Sequence, residues 1–403
     1  MNSENKRRLY LSAAFALAAG TLSAQDSGVN APLFQIGSVE VRPNAAYTFT
    51  YDDNVFLIDN GVALPAGAAQ KHDIIHTLSP GVVLGAGDYR GQADQFFSAS
   101  YNANILLFQE NSGADSADHQ GSISFGGGDK LSWRFDQTLV SQSDADVTNL
   151  QAGGRAKRRA WTSTLSTVYD LSEKTDLESS FAYVLNDYDG AAFTDSQRLQ
   201  GNVMLDFEQS AKLHYGIGGR MGYDQVDTGA NSVYEQVSTR MIWIASAKVA
   251  LNAEVGVEFR QFQGINLDRA NLVYGLGADW KLSPLTVASF NFARSIAPNN
   301  TNPGVGGNSY ATRNLVNASV VHKMGERYTL SLNTGYLGTD SDGTITAVTS
   351  REDDYYFVRP AVGVRLASRA TAALFYQYRQ NESNSINGDF NNNQFGATLS
   401  YTF

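Results

Sequence analysis

The stretch Gln394-Phe395-Gly396-Ala397-Thr398-Leu399-Ser400-Tyr401-Thr402-Phe403 decides the fold. Phe395, Ala397, Leu399, Tyr401 and Phe403 occupy every second position, with Gly396, Thr398, Ser400 and Thr402 between them. A two-residue period puts the two sets on opposite faces of a β-strand. The apolar face runs at full amplitude to the last residue. On a soluble edge strand such a face invites pairing with other chains. It is favourable where the outside is lipid, and the edge disappears if this strand closes a barrel onto the first one.

The pattern recurs toward the N-terminus. Val39, Val41, Pro43, Ala45, Tyr47, Phe49 and Tyr51 alternate with Glu40, Arg42, Asn44, Thr48, Thr50 and Asp52. That alternation exceeds the usual soluble strand of about 5–6 residues and suits a tilted membrane strand. Further sets begin at Phe97, Trp161, Val249, Leu272 and Tyr356. Eight short turns fall near 88–92, 126–130, 172–175, 209–212, 246–248, 283–285, 324–327 and 367–370. Nine longer polar segments fall near 57–71, 109–118, 144–156, 186–196, 224–231, 263–268, 297–309, 340–352 and 381–389. This predicts an all-β chain: a transmembrane antiparallel up-and-down β-barrel of eighteen strands with short periplasmic turns and long extracellular loops. The count falls to sixteen if the weak segments 119–128 and 286–296 do not form strands. A soluble sandwich, propeller or solenoid would show turn signals at both ends alike, at intervals of about 8–12 residues.

Composition agrees. Tyr (20), Phe (21) and Gly (37) are abundant and Pro is scarce (8). No apolar run reaches the roughly 18 residues of a helical span. Lys6, Arg7 and Arg8, then the apolar run 9–22 and Leu22-Ser23-Ala24, have the layout of a cleaved signal peptide over 1–24. A short periplasmic segment, 25–37, would follow, and the barrel would occupy 38–403. Cys is absent, which excludes disulfides and thiolate metal sites. The net charge of −10 argues against nucleic acid. It suits an outer surface where acidic loops hold divalent cations against lipopolysaccharide.

With the apolar set outward, the polar set lines the lumen. It includes Arg42, Asn102, Asn104, Arg134, Asp136, Glu178, Arg198, Asp206, Arg220, Arg240, Glu254, Glu258, Arg260, Asp279, Arg313, Arg359, Arg365 and Arg379. Ionisable groups at membrane depth need water or one another, and eighteen strands enclose more space than side chains fill. The implied role is passive diffusion of small hydrophilic solutes, with selectivity set by charged side chains. Arg313, Arg359, Arg365 and Arg379, from neighbouring late strands, are candidates for one basic wall favouring anions. Arg134, Arg220, Glu254 and Glu258 are further selectivity candidates. A balanced polar wall without ligand preference has equal standing. A surface adhesion barrel without conductance is an alternative from another class.

No catalytic constellation emerges. His72-Asp73 and Asp52-Asp53 lie near one rim, but a solvated loop and strand end explain them more simply. No His/Asp/Glu spacing suggests a metal cage, and the glycine pairs lack a phosphate-loop context. No cofactor and no enzymatic activity are expected. Phe56, Phe96, Phe108, Tyr169, Tyr188, Tyr223, Tyr328, Tyr336, Tyr355, Tyr376 and Tyr401 fall where interfacial girdles are expected.

Val41-Arg42-Pro43 followed by Tyr51-Asp52-Asp53-Asn54-Val55-Phe56 resembles the opening signature of the β-barrel porin-2 family of Gram-negative outer-membrane proteins. Tyr51, Asp52, Asp53 and Asn54 are the motif positions. The resemblance implies a porin-like barrel in the outer membrane, in some bacteria associated with exopolysaccharide production, and it carries no catalytic residues. Tyr401-Thr402-Phe403 resembles the carboxy-terminal recognition signal of outer-membrane proteins. Tyr401 and Phe403 would then engage the barrel-assembly machinery, and Phe403 would be an assembly signal as well as part of a girdle.

Overall fold

The computed structural model describes residues 34–92, 95–143, 157–190, 193–264, 268–298, 310–341, 351–385 and 388–403. The expected signal segment 1–24 and the predicted loop 144–156 lie outside them.

Nineteen strands follow in chain order. The first seven are β1 (Phe34–Ile36), β2 (Val39–Asp52), β3 (Asp73–Gly87), β4 (Phe96–Phe108), β5 (Ser116–Gly127), β6 (Leu131–Gln142) and β7 (Lys157–Ser172). Next come β8 (Thr175–Asp189), β9 (Ser196–Ser210), β10 (Leu213–Val226), β11 (Ser232–Ser246), β12 (Val249–Phe262) and β13 (Asp268–Ser283). The last are β14 (Thr286–Pro298), β15 (Tyr310–Met324), β16 (Tyr328–Ser341), β17 (Arg351–Arg365), β18 (Ala370–Ser383) and β19 (Phe390–Thr402). Strands β2 to β19 pair antiparallel, each with its sequence neighbour, and β19 pairs back onto β2. The ring is therefore closed with eighteen strands, and both weak segments form strands (β5 and β14). Ring strands run from twelve to sixteen residues. All eight predicted short turns fall at one end, which is the periplasmic end of an outer-membrane barrel.

The face assignment follows from what must meet lipid. Tyr47, Leu78, Tyr101, Leu139, Trp161, Leu199, Ile217, Val237, Val257, Leu276, Leu332, Val362, Leu374 and Leu399 are all 37% exposed or more. The ladder registers place them on the outer face, because paired residues share a face. A soluble protein could not carry this much exposed apolar surface.

Strand β1 lies outside the ring. It pairs only with the start of β2, Phe34 opposite Val41 and Ile36 opposite Val39, through a turn at Gly37. Strand β19 pairs with residues 44–52 of β2, and the Phe403 N–H then donates to the Pro43 carbonyl at 3.0 Å. Strand β1 therefore continues the line of β19 along the periplasmic end of the closing seam. Tyr401 and Phe403 stack edge to face with centroids 4.8 Å apart, and both are exposed on the outer face.

Three segments depart from a simple cylinder. The first is the loop after β2, where Val55, Phe56, Leu57 and Ile58 are buried. Val55, Phe56 and Ile58 pack on Ile75 of β3 and Phe108 of β4. Leu57 packs the other way, on Leu337 of β16, Tyr355 of β17 and Phe390 of β19. This short run therefore sits inside the outer end of the barrel, touching both flanks of the seam. The second is the segment 88–92, where the Tyr89 hydroxyl donates to Glu40 at 2.7 Å and Gln92 accepts from Arg134 at 2.5 Å. The third is the outer end of β14. Its ladder with β13 stops at the pair Tyr274–Arg294. Beyond that point the Ile296 carbonyl accepts from Arg198 of β9 at 3.4 Å, and Ile296 packs with Phe262, Val273 and Tyr310.

The expected girdle is corrected accordingly. Tyr169, Tyr328 and Tyr401 are exposed on the outer face near the periplasmic end. Phe56, Phe96, Phe108, Tyr188 and Tyr355 are buried at 7% exposure or less. The last four belong to the inward set of their strands. The doublet Phe96-Phe97 and the run Leu106-Leu107-Phe108 break strict alternation: Phe96 turns inward in the first, Leu106 and Phe108 in the second.

Candidate functional site: the lumen wall

The inner face divides into three sectors. Along β2 to β7 it is largely neutral and hydroxylated. Thr48 faces Thr398 at 3.0 Å, Ser100 faces Ser122 at 2.6 Å, and the Ser79 hydroxyl donates to Asn104 at 2.7 Å. Toward its periplasmic end Arg42 lies 3.4 Å from Glu40, and Arg134 Nε and Nη2 donate to Asp136 at 2.6 and 2.7 Å.

Along β8 to β12 charges are paired and mostly covered. Arg240 Nη2 lies 2.9 Å from Glu178 and 2.5 Å from Asp206. Arg198 and Arg260 share Asp224, each at 2.6 Å, and Arg260 Nε donates to Glu258 at 2.8 Å. The Tyr234 ring lies 4.5 Å from the Arg260 guanidinium and 5.6 Å from that of Arg198. Arg220 is looser, 4.0 Å from Glu254. Arg260, Asp206 and Asp224 are 1–3% exposed. Gly216, opposite Asp206 in the ladder, makes room for the Arg240 cluster: a Cβ there would collide with the Asp206 carboxylate. Burial at this level is tolerable only because each charge meets its opposite at hydrogen-bond distance.

Along β15 to β19 the arginines are differently placed. Arg359 has its guanidinium 4.4 Å from the Phe375 ring centroid. Arg379 donates from Nε to Asn392 at 2.8 Å, and its Nη2 is 3.8 Å from Asp52. Because Arg379 pairs with Phe357, it is a diagonal neighbour of Arg359 on the same face. Arg313 stands six register positions from Arg359 toward the outer end, since Arg313 pairs with Thr339 and Thr339 with Asp353. Arg365 stands six positions away toward the periplasm, at the last pair of β17 with β18. The structure thus brings together Arg359 and Arg379 only, and the four do not form one ring. Among the other candidates, Glu258 sits in the paired sector with Arg260, Glu254 faces Arg220, and Arg134 belongs to the neutral sector.

The motif positions form the root of the inward loop. Asp52 accepts from the Asn54 N–H at 2.8 Å, the Gln394 amide at 2.6 Å and the Asn392 amide at 2.5 Å. Asp53 accepts from the Asn393 N–H and side-chain amide, both at 2.7 Å. Asn54, 1% exposed, donates to the Ile58 and Asn391 carbonyls at 2.8 Å and accepts from the Ile58 N–H. Asp52, Asp53 and Asn54 thus tie the loop to the closing strand, while Tyr51 faces outward. Leu57 holds φ at 51°, a left-handed conformation uncommon for a side-chain-bearing residue, fixed here by packing on both sides. Asp73 accepts from the backbone N–H groups of Gln109, Glu110 and Asn111 at 2.8–3.0 Å. The three carboxylates considered for catalysis, Asp52, Asp53 and Asp73, therefore hold loops in place, and His72 lies beside Tyr51. Among the described residues no group of three His, Asp or Glu side chains is placed to hold a metal.

The run Val55-Phe56-Leu57-Ile58 was the one available signal for the inward loop, since four apolar residues in succession do not belong in a solvated loop. The Asn-rich start of β19, Asn391 to Asn393, carried no signal by itself.

No family model and no curated sequence matches the chain. Solved structures do resemble it. The outer membrane channel DcaP of Acinetobacter baumannii aligns with TM-score 0.49 and 13% identity, over 92% of this chain and 99% of that one. OccAB4 of the same organism aligns at 0.47 and 12%, over 90% and 98%. OpdK of Pseudomonas aeruginosa, solved with vanillate, aligns at 0.46 and 9%, over 90% and 99%. At these identities the likeness is one of barrel architecture and carries nothing about solute or site residues.

Proposed function

We propose that this protein is a porin-like channel of a Gram-negative outer membrane, passing small hydrophilic solutes by passive diffusion. The observation that supports this most directly is the closed ring of eighteen strands with ionisable and amide side chains on its inner face and an apolar outer face. A ring of that size is too wide for side chains alone to fill, and its polar lining is stable only against water. On this reading the loop at residues 54–58, the segment 88–92 and the outer end of β14 narrow the passage. Outer-membrane lipid and lipopolysaccharide would contact the apolar face. The β-barrel porin-2 resemblance, carried by Tyr51 to Phe56, is compatible with this reading. Those residues then build the constriction and its attachment to the seam.

Assembly belongs to the same proposal. Phe403 presents an exposed ring at the periplasmic end of the closing strand, where assembly machinery would meet it. Deleting Phe403 is expected to lower outer-membrane levels far more than it alters the conductance of molecules that insert. Normal levels of the truncated protein count against the signal.

Planar-bilayer recording tests the channel. Purified protein that shows the gel shift of a folded barrel is expected to give discrete current steps. A folded sample without steps overturns the proposal.

A further inference from the structure

We propose that Arg269, with Asn271 beside it and Arg260 opposite, forms a subsite on the inner face of β12 and β13 that takes the carboxylate of a small polar solute. This rests on the channel reading and names the class of solute the passage would hold.

Arg269 and Asn271 face the lumen because the ladder sets them opposite Arg260 and Glu258, two inward residues. Directly opposed residues have β-carbons about 5 Å apart, and like charges so placed repel. The carboxylates of this sector are committed elsewhere. Asp224 accepts from both Arg198 and Arg260 at 2.6 Å, and Glu258 accepts from Arg260 Nε at 2.8 Å. Glu254 lies 4.0 Å from Arg220. Among the described residues no carboxylate pairs with Arg269. Four guanidinium groups therefore meet three carboxylates, and the surplus charge stands at Arg269. The adjoining chain segments 265–267 and 299–309 contain no Asp or Glu.

The donors converge on the same two rungs of the ladder. Arg269 Nε, Asn271 Nδ2 and Arg260 Nη2 are buried and have no partner in the protein. Arg260 is 1% exposed, and its Nε and Nη1 are engaged by Glu258, Asp224 and Ser232. The Tyr234 ring, 4.5 Å from its guanidinium, fixes the plane in which Nη2 lies. Buried donors without an acceptor are costly. Water would satisfy the N–H groups but not the surplus charge, whereas a carboxylate satisfies both and matches a guanidinium edge in bidentate geometry.

The place is also partly covered. Phe262 and Val273 bracket the donors along the inner face, Phe262 toward the outer end and Val273 toward the periplasm. Both belong to one apolar cluster with Ile296 and Tyr310, from the bent ends of β14 and β15. The Ile296 carbonyl reaches Arg198 of β9, so this end runs across the inner face at the level of the donors. Screening from bulk water strengthens the attraction between a bound carboxylate and Arg269.

The test uses the full-length folded barrel, in micelles for binding and in bilayers for current. Succinate and uncharged succinamide are titrated calorimetrically, and unfolding midpoints are read with and without succinate. Succinate is expected to bind and to raise the midpoint, and succinamide to do neither. Arg269→Gln should weaken succinate about tenfold or more and abolish the rise. Its midpoint without succinate should equal or exceed that of the wild type, because the change removes a like-charge contact and no ion pair. A lower midpoint would make Arg269 a structural residue and count against the subsite. Arg269→Lys should weaken succinate likewise, since it keeps the charge and loses the fork, and it decides the matter if the Gln variant does not fold. Absence of succinate binding by the wild type, or unchanged binding by a folded Arg269 variant, overturns the subsite. Binding that depends on Arg269 without current steps keeps the subsite and removes the channel. Current steps without succinate binding do the reverse.

Discussion

Arginines line both the β8 to β12 wall and the β15 to β18 wall, and the two sets do different work. On the first wall Arg198, Arg240 and Arg260 lie within 2.5–2.9 Å of carboxylates, and Asp206, beside Arg240, packs against Gly216. On the second, Arg359 rests on an aromatic ring and Arg379 on an amide. A buried ion pair neutralises its own field, whereas a stacked guanidinium projects its charge into the water beside it. The same residue type therefore meets carboxylates on one side and a ring and an amide on the other. Counting arginines cannot tell these roles apart; only the neighbours across the ladder do.

The comparison can be broken most forcefully at Asp224. Asp224→Ala takes from Arg198 its carboxylate and leaves Arg260 with Glu258 alone, and the expected loss is about 3–5 kcal/mol, read from the guanidinium unfolding midpoint in micelles. If stability is unchanged, the first wall is not held by its pairs. The next effect concerns the segment pinned to the second wall. Replacing residues 55–70 by a short Gly-Ser linker removes the Leu57 bridge and should raise unit conductance about twofold, while leaving the ion-pair layer intact. An unchanged conductance would mean that this loop does not bound the pore. Ionic strength separates the walls without mutation. Raising KCl from about 0.1 M to about 1 M shortens the screening length from roughly 10 to 3 Å. It should erase most of the charge selectivity and barely move the unfolding midpoint. The smallest effect is expected at Arg220, whose pair with Glu254 is 4.0 Å long and partly exposed. Arg220→Gln should change stability by no more than about 0.5 kcal/mol.

Much of the architecture was legible in the chain because lipid imposes one rule on every strand. An outward position must be apolar, an inward one has to tolerate water, and the period of two writes that rule along β2 as along β19. Turn length gave the polarity of the ends. Girdle assignments were less secure, because an aromatic near a strand end does not announce its face. Phe96 and Phe108 turned inward because their neighbours Phe97 and Leu107 already held the lipid side. Strand β1 was too short for a periodic signal.

The lumen was legible only as a roster. Sequence alone determined that Arg359 and Arg379 face inward, since each lies in the polar set of an alternating strand. It also determined that Tyr51-Asp52-Asp53-Asn54 stands at the outer end of the first strand. Tertiary structure decided the rest. Asp52 and Asn54 meet Asn391 to Gln394 only because the last strand closes on the first, across more than three hundred residues. Leu57 finds Tyr355 and Phe390 by the same closure. Whether an arginine meets a carboxylate, an amide or a ring depends on the strand beside it and on which residue the register sets opposite. That is a property of two chain segments together, and no single stretch of sequence contains it.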